Sequence, residues 1–481
     1  MSKPVAVIDI GSNSVRLVMY DGVKRHLHPF FNEKVLCGLG KGLADKNRLP
    51  KDGKASARKT IRRFIALTRA RNINQVYIIA TAAIRDAEDG REFIAELEQE
   101  NNVKIRIISG ERKRILLRWG SPATTFDPKG LVGDLGGGGF ELIEVHGQRT
   151  GASTTLPLGS LRMLALSSHD EKMLRRMVQD YLRAVPWLTI HPHKTFYAVG
   201  GSFRSVARVH MRKTDYPLRI LHQYEISAAE VRKLAQEVLA EKPQKLKGLR
   251  ENRSEGFIPA LILLDEIIGL CKIEKIVFST GGIREGLLFD LLPDKEKQKD
   301  PLQASVEDIL SRAPVDAVYA TALKEWIAPL FKAFKEKERL INAFVALSEV
   351  GLTMHQEFRA AWGFDHVLYS SAYGLTHRER VMLSLALYYR HRYKLKLNHP
   401  ALALVSEKDK LWSYKLGQAA SLASEISADA PEILSQVRLS VSHSVITLKP
   451  RGSDAITLPD TVEKRLEGLS EALRARESFS K

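Results

Sequence analysis

The stretch "VGDLGGGGFELIEV", residues 132–145, decides the fold. Four consecutive glycines, Gly136 to Gly139, let the backbone take positive φ angles and approach a ligand closely. The flanks say which kind of turn this is. "GLVGD" is a short apolar run ending in Asp134, and "FELIEV" alternates at period two, so the reading is strand, turn, strand. A dinucleotide fingerprint needs strand, Gly turn and helix, with G-x-G-x-x-G spacing and an acidic residue about 20 positions on. No helix opens here.

The same phrase stands at the start of the chain. "VIDIGSNSVRLVMYDG" (7–22) aligns without a gap on "VGDLGGGGFELIEVHG" (132–147). Asp9 falls on Asp134, Gly11 on Gly136, Leu17 on Leu142 and Gly22 on Gly147. The offset of 125 residues is the size of one domain. Two ordinary hairpins with shared turn chemistry would give the same letters. An internal repeat instead predicts two homologous halves, each presenting backbone N–H groups and one Asp to a common cleft. Such turns form nests for phosphate oxygens, and a hard cation such as Mg²⁺ takes carboxylate oxygens.

Composition bounds the rest. With 481 residues, 44% hydrophobic and 27% charged, the chain predicts a globular protein of about three domains. Two cysteines, Cys37 and Cys271, make no disulfide framework, which suits a reducing compartment. No leader-like h-region and no long apolar run stand in the sequence, so the expectation is a cytoplasmic protein without a membrane partner. The net charge is +18, and residues 1–125 hold 24 basic against 13 acidic residues. Much of that excess lies in "KDGKASARKTIRRFIALTRARN", where Ile61, Phe64, Ile65 and Thr68 form one helical stripe. The surrounding cations are either a solvated face or a funnel for a polyanion. No RNP motif, zinc-finger spacing or basic heptad points to specific nucleic acid.

Along the chain, strands and helices alternate to about residue 125, where "GSPATTFDPKG" marks a boundary. A second α/β half runs over 126–299 and carries "FYAVGGSFRSVARV" and "KIVFSTGGIREGLLFDLL", each strand, Gly turn, helix. "PDKEKQKDP" (293–301) reads as a polar linker. Residues 300–481 read as amphipathic helices, with one strand-like segment, "LSVSHSVITLKP", and a terminal helix.

The motifs "VIDIGSNSVRLV", "IIATAAIRDA", "IISGERKR", "GDLGGGGFEL", "AVGGSFRSVA" and "FSTGGIREGLL" stand in the order of the exopolyphosphatase/guanosine pentaphosphate phosphatase family, and the chain resembles it over about residues 5–290. The resemblance implies an α/β fold of duplicated actin-like (ribonuclease H-like) lobes with a mainly helical C-terminal domain. It implies Mg²⁺-dependent removal of the terminal phosphate of inorganic polyphosphate, or of the 5′ γ-phosphate of guanosine pentaphosphate, with a link to the stringent response in the second case. Asp9, Asp134 and Glu141 would hold Mg²⁺. Gly11, Ser12, Asn13, Ser14, Gly136, Gly137, Gly138 and Gly139 would cradle phosphate, joined by Gly200, Gly201, Ser202 and Arg204. Arg85, expected near a helix N-terminus, is either an anion ligand or the partner of Asp86 or Glu88. Glu141 would orient water or be a surface strand carboxylate. Arg284 and Glu285 would close the cleft or pair at a helix start.

The departures bear on catalysis. The family reads S-G-x-E-E-A where this chain has "SGERKRIL", so Arg112 and Lys113 occupy the carboxylate positions and Glu111 stands early. Glu111, Glu141 and Lys113 are the catalytic candidates. Gly139 and Phe140 replace the usual Ser and its neighbour in the second loop. In the C-terminal region, which resembles a metal-binding HD domain, Ser348 and Glu349 replace ligands, and His355, His366, His377 and His391 lack pairing, so no metal is expected there. Two readings follow: an exopolyphosphatase-type hydrolase, or a catalytically weakened polyanion-binding protein. A kinase of the same superfamily would need an adenosine pocket and an acceptor site that the sequence does not locate. The sequence leaves the choice between monomer and homodimer open.

Overall fold

The computed structural model describes residues 3–168, 170–190, 192–240, 256–312, 317–352, 354–392, 397–442, 445–450 and 460–479. The chain forms two compact units, Met1–Lys299 and Asp300–Lys481.

The first unit holds two sheets. β1 (Val5–Ile10), β2 (Ser14–Tyr20), β3 (Pro29–Leu36), β4 (Gln75–Ala80) and β5 (Ile105–Ile107) run in the order β3-β2-β1-β4-β5. β6 (Lys129–Leu135), β7 (Phe140–His146), β8 (Arg149–Leu156), β9 (Thr195–Val199), β10 (Tyr224–Ser227) and β11 (Lys275–Phe278) run β10-β11-β9-β6-β7-β8. In each sheet an antiparallel three-stranded meander joins parallel strands at its first member. The repeat holds residue by residue. Asp9 pairs across with Arg16 as Asp134 pairs with Glu141, and Ile10 with Val15 as Leu135 with Phe140. Even the turns match, with Gly11 N–H donating to the Ser14 carbonyl and Gly136 N–H to the Gly139 carbonyl, both at 3.0 Å.

Each lobe has its own core. Ile8, Ile10, Leu17, Ile61 and Phe64 belong to one, and Leu142, Phe140, Phe196, Phe203 and Leu261 to the other. The central strand β1 is buried along nearly its whole length, as a strand covered on both faces must be. The helix Lys51–Ala70 buries the expected stripe, Ile61, Phe64, Ile65 and Thr68. Several of its cations are engaged by the lobe's own carboxylates: Lys54 with Asp89 at 2.8 Å, Arg58 with Glu96 and Glu100, Arg63 with Glu33 at 2.5 Å.

Two local expectations change. "PDKEKQKDP" is not an open linker: Asp294–Lys297 is a helical turn, and the next helix starts at Pro301. Pro293 and Pro301 pre-set φ for a helix start, and the Asp294–Lys297 and Glu296–Lys299 pairs close the turn. "LSVSHSVITLKP" is two strands, β12 (Val437–Ser442) and β13 (Val445–Pro450), paired antiparallel, because its period-two pattern runs through both arms. Residues 443–444 between them lie outside the described residues. The other described residues of the second unit are mainly helical, with the longest of the described helices at Glu407–Ser427 and Asp460–Phe479. Among the described residues no helix is long and apolar enough to cross a membrane.

Candidate active site

The carboxyl ends of β1, β4, β6, β9 and β11 open onto one cleft, the position where α/β sheets bind ligands. The cavity has a volume of about 230 Å³. It is lined by both hairpin turns (Gly11 to Ser14, Gly136 to Gly139), by Asp9 and Asp134, and by Gly200, Gly201, Ser202 and Arg204. Arg16, Lys34, Lys113 and Arg284 also reach it.

The turns are held from behind. The Ser12 carbonyl accepts from Gly40 N–H (2.7 Å), and the Asn13 carbonyl from Cys37 and Gly38 N–H (3.1 Å each). In the second lobe the Gly136 carbonyl accepts from Ser160 N–H (2.9 Å) and the Gly137 carbonyl from Leu161 N–H (3.0 Å). With carbonyls tied back, the N–H groups of Ser12, Asn13, Gly137 and Gly138 are left without a partner among the described residues. The two turns also press on each other: a β-carbon on Gly137 would lie 3.0 Å from the Ser12 Cβ, and one on Gly138 3.2 Å from the Ala82 Cβ. The run of glycines is thus a close-approach requirement.

Both hairpin aspartates are bound by a cation from a helix of the other lobe. Lys113, in the helix Gly110–Thr124, stands 2.5 Å from Glu141 Oε2 and 3.2 Å from Asp134 Oδ2. Arg284, at the start of the helix Ile283–Asp290, donates from Nη1 to Asp9 Oδ2 at 2.9 Å. The two helices approach closely, since a β-carbon on Gly120 would lie 2.9 Å from the Gly282 carbonyl oxygen. Burial alone would lower the Lys113 ammonium, but the Glu141 and Asp134 carboxylates outweigh it and hold its pKa above the ordinary lysine value. Burial raises Glu141 above the ordinary carboxylate range against the pull of Lys113, and the Asp134 charge pushes the same way.

A second group of cations faces the cavity. Burial, then the charges of Arg284 and Arg16, push the Arg204 guanidinium down to about 9. Burial and Arg284 lower Arg16 as well. Crowded like charges of this kind are relieved by a bound anion. Arg284 Nε is buried without a hydrogen-bond acceptor.

Several expected residues lie elsewhere. Glu111 is exposed in the first turn of its helix and does not line the cavity, because its side chain leaves the helix on the face away from Lys113. Arg112 pairs with Asp290 at 2.7 Å. Arg85 lies in the last turn of the short helix Ala82–Asp86, not at its start, and binds Asp86 at 2.9 Å; it acts on Glu141 only through its charge. Glu141 is buried beneath the cavity behind Lys113, neither on a surface nor on the lining. Glu285 caps its own helix through Gly282 N–H (2.9 Å) and accepts from the Tyr20 hydroxyl (3.1 Å). Arg16 and Lys34 were not among the site residues expected from sequence. The signal for Arg16 is in the repeat: it occupies the position of Glu141, and on a hairpin that position shares the face of the Asp opposite.

The carboxylates expected to hold Mg²⁺ do not fit a divalent ion as they stand. Asp9 is taken by Arg284, and Asp134 and Glu141 by Lys113. Among the described residues no group of three or more His, Cys, Asp or Glu is placed to hold a metal ion.

The comparisons with known proteins agree with this architecture. A guanosine-5′-triphosphate,3′-diphosphate pyrophosphatase of Vibrio cholerae is 25% identical over 392 residues, 78% of this chain and 77% of that one. In fold, the chain is similar to an exopolyphosphatase from Cytophaga hutchinsonii (TM-score 0.55, 23% identity, covering 60% of this chain and 97% of that one). It is similar also to the Aquifex aeolicus member of the Ppx/GppA family (TM-score 0.51, 20% identity, 65% and 99% covered). The model of the exopolyphosphatase C-terminal region matches residues 302–471. The model of the Ppx/GppA phosphatase family matches residues 17–295, more than half of the sequence, and the chain belongs to that family.

Proposed function

We infer that the cleft binds the terminal phosphates of a linear phosphate chain, either inorganic polyphosphate or the 5′ end of guanosine pentaphosphate, and hydrolyses the last anhydride slowly. The observation that carries this reading is the convergence of Arg16, Arg204 and Arg284 with two backbone N–H turns on one small cavity. The volume is below the ~300–1,000 Å³ usual for drug-sized ligands, so it suits a few phosphates with the remainder of the substrate outside. Hydrolysis would form a bond from a water oxygen to the terminal phosphorus, break the bridging P–O bond and pass a proton from the water to an acceptor. Positioning and charge neutralisation are the main demands of that step. The carboxylates nearest the loop are held by Lys113, which leaves proton acceptance weak and makes turnover slow. The same observation favours the second reading, a phosphate-chain binder with negligible turnover.

Phosphate release from tripolyphosphate, long polyphosphate and guanosine pentaphosphate, measured beside binding of the same compounds, tests both. Binding with slow release supports the first reading and binding alone the second. Failure of all three compounds to bind at ~1 mM would sink both.

A further inference from the structure

We propose that Lys113 is the resident cation of this site: its ammonium takes the place of a divalent metal between Asp134 and Glu141, and the cleft binds terminal phosphate without a metal. Asp134 and Glu141 are direct cross-strand partners on β6 and β7, and two like charges in that position repel. Something positive must sit between them. Lys113 does, at 3.2 and 2.5 Å, with its side chain only about one-tenth exposed.

The position also costs the helix. Lys113 lies in the first turns of Gly110–Thr124, the end at which the helix dipole disfavours a cation. A lysine there is stable because the two carboxylates meet it. The ammonium then lies under the phosphate loop, since a β-carbon on Gly136 would be 3.7 Å from Nζ. Two of its three N–H donors meet the carboxylates, and since Lys113 also lines the cavity the third is left for the loop side. A compact ammonium with three donors is a known point-charge ligand of phosphate. The partner hairpin follows the same plan with Arg284 on Asp9. Both places where a metal would sit are therefore filled by side-chain charge.

This inference rests on the phosphate-binding reading, but its test does not. Mn²⁺, a stand-in for Mg²⁺ with a paramagnetic signal, is titrated into the phosphate-free protein and followed by electron paramagnetic resonance. Wild type is expected to show no site tighter than ~1 mM. Lys113→Met and Lys113→Gln, which free the two carboxylates, are expected to gain a site at least ~10-fold tighter. A stoichiometric wild-type site tighter than ~100 μM that is lost in Asp134→Asn would overturn the proposal, whether or not the lysine variants fold. In parallel, tripolyphosphate binding to wild type is measured in chelator. Binding that persists in chelator supports the inference, and binding that appears only on adding Mg²⁺ overturns it. If tripolyphosphate binds under neither condition, the phosphate reading fails while the Mn²⁺ titration still decides the role of Lys113.

Discussion

At the scale of single residues, two positions separate this chain from the pattern it otherwise follows. Lys113 neutralises Asp134 and Glu141, so it anchors charge but offers no lone pair while protonated. A carboxylate that accepts a proton from attacking water is worth ~10²–10⁴-fold. Lys113→Glu is accordingly expected to raise phosphate release by at least ~10-fold. The same change places three carboxylates together, so the gain should require Mg²⁺, whereas the wild-type rate should not. Initial rates with and without Mg²⁺ read this directly, and an Mg²⁺-stimulated wild type with an unchanged variant would show that the base lies elsewhere. Gly139 is the second position. A β-carbon there meets only ordinary contacts, 3.5 Å to the Leu156 carbonyl oxygen and 3.7 Å to Glu141 Oε1. Gly139→Ser should fold normally and add a hydroxyl beside the loop, tightening tripolyphosphate binding about 3–10-fold, the value of one hydrogen bond. Weaker binding in a titration of that variant would show that the loop is already closed at this point.

Elements rather than residues determine which cations matter. The basic helix Lys51–Ala70 was open to two readings in the sequence. Its Lys54 pairs with the buried Asp89, and Arg58 and Arg63 pair with Glu96 and Glu33 on the lobe's own surface. Exposed pairs of this kind are weak and screened. Replacing Arg58 and Arg63 together by Gln should change polyphosphate affinity by less than about 2-fold, because each cation is already neutralised locally. Arg204→Gln, by contrast, removes a half-buried donor facing the cavity and should cost ~10–100-fold, in line with hydrogen bonds to charged groups. Equal losses in the two variants would return the helix to the site. The Gly159 position belongs to the same scale. A β-carbon there would run into the Gly137 carbonyl and the Gly138 backbone, so Gly159→Ala should displace the second loop and reduce affinity with little loss of helix content. The hairpins, their 125-residue repeat and most of the turns that line the cavity were legible because turn chemistry and strand period are local. The pairing of Lys113 with Glu141 was not: it joins a helix of one half to a strand of the other, and no local pattern encodes that approach. Arg85 follows the second of its two readings, the pair with its neighbour Asp86, because that carboxylate is adjacent in the chain.

For the whole molecule, the two units carry their charge differently. In the first, Lys113 and Arg284 are paired beside the half-buried Arg16 and Arg204 that face a cavity; in the second, buried Asp409 and buried Arg390 close on partners within the unit. Asp409 is the clearest case. It caps the helix Glu407–Ser427 with Ser406 and accepts two hydrogen bonds from Arg378, at 2.8 and 2.6 Å. Burial would raise its pKa, but Arg378 and Ser406 outweigh that and hold it at about 2, below its ordinary 3.8. A carboxylate with a depressed folded-state pKa stabilises the fold above its unfolded pKa, and the contribution is lost as pH falls from there through the folded value. At pH 7 the contribution is about 1–2 kcal/mol, allowing for the exposure of Arg378. Asp409→Asn should lower the urea midpoint of the second unit at pH 7. The gap between wild type and variant should stay constant down to about pH 5 and narrow only between about 4 and 2. Trp326, Trp362 and Trp412 all lie in that unit and report its unfolding by fluorescence. Protonation of His391, whose burial lowers its pKa to about 4, would destabilise wild type and variant alike and leave the gap unchanged; a gap that narrows between pH 5 and 7 would show that Asp409 is not held at a depressed pKa.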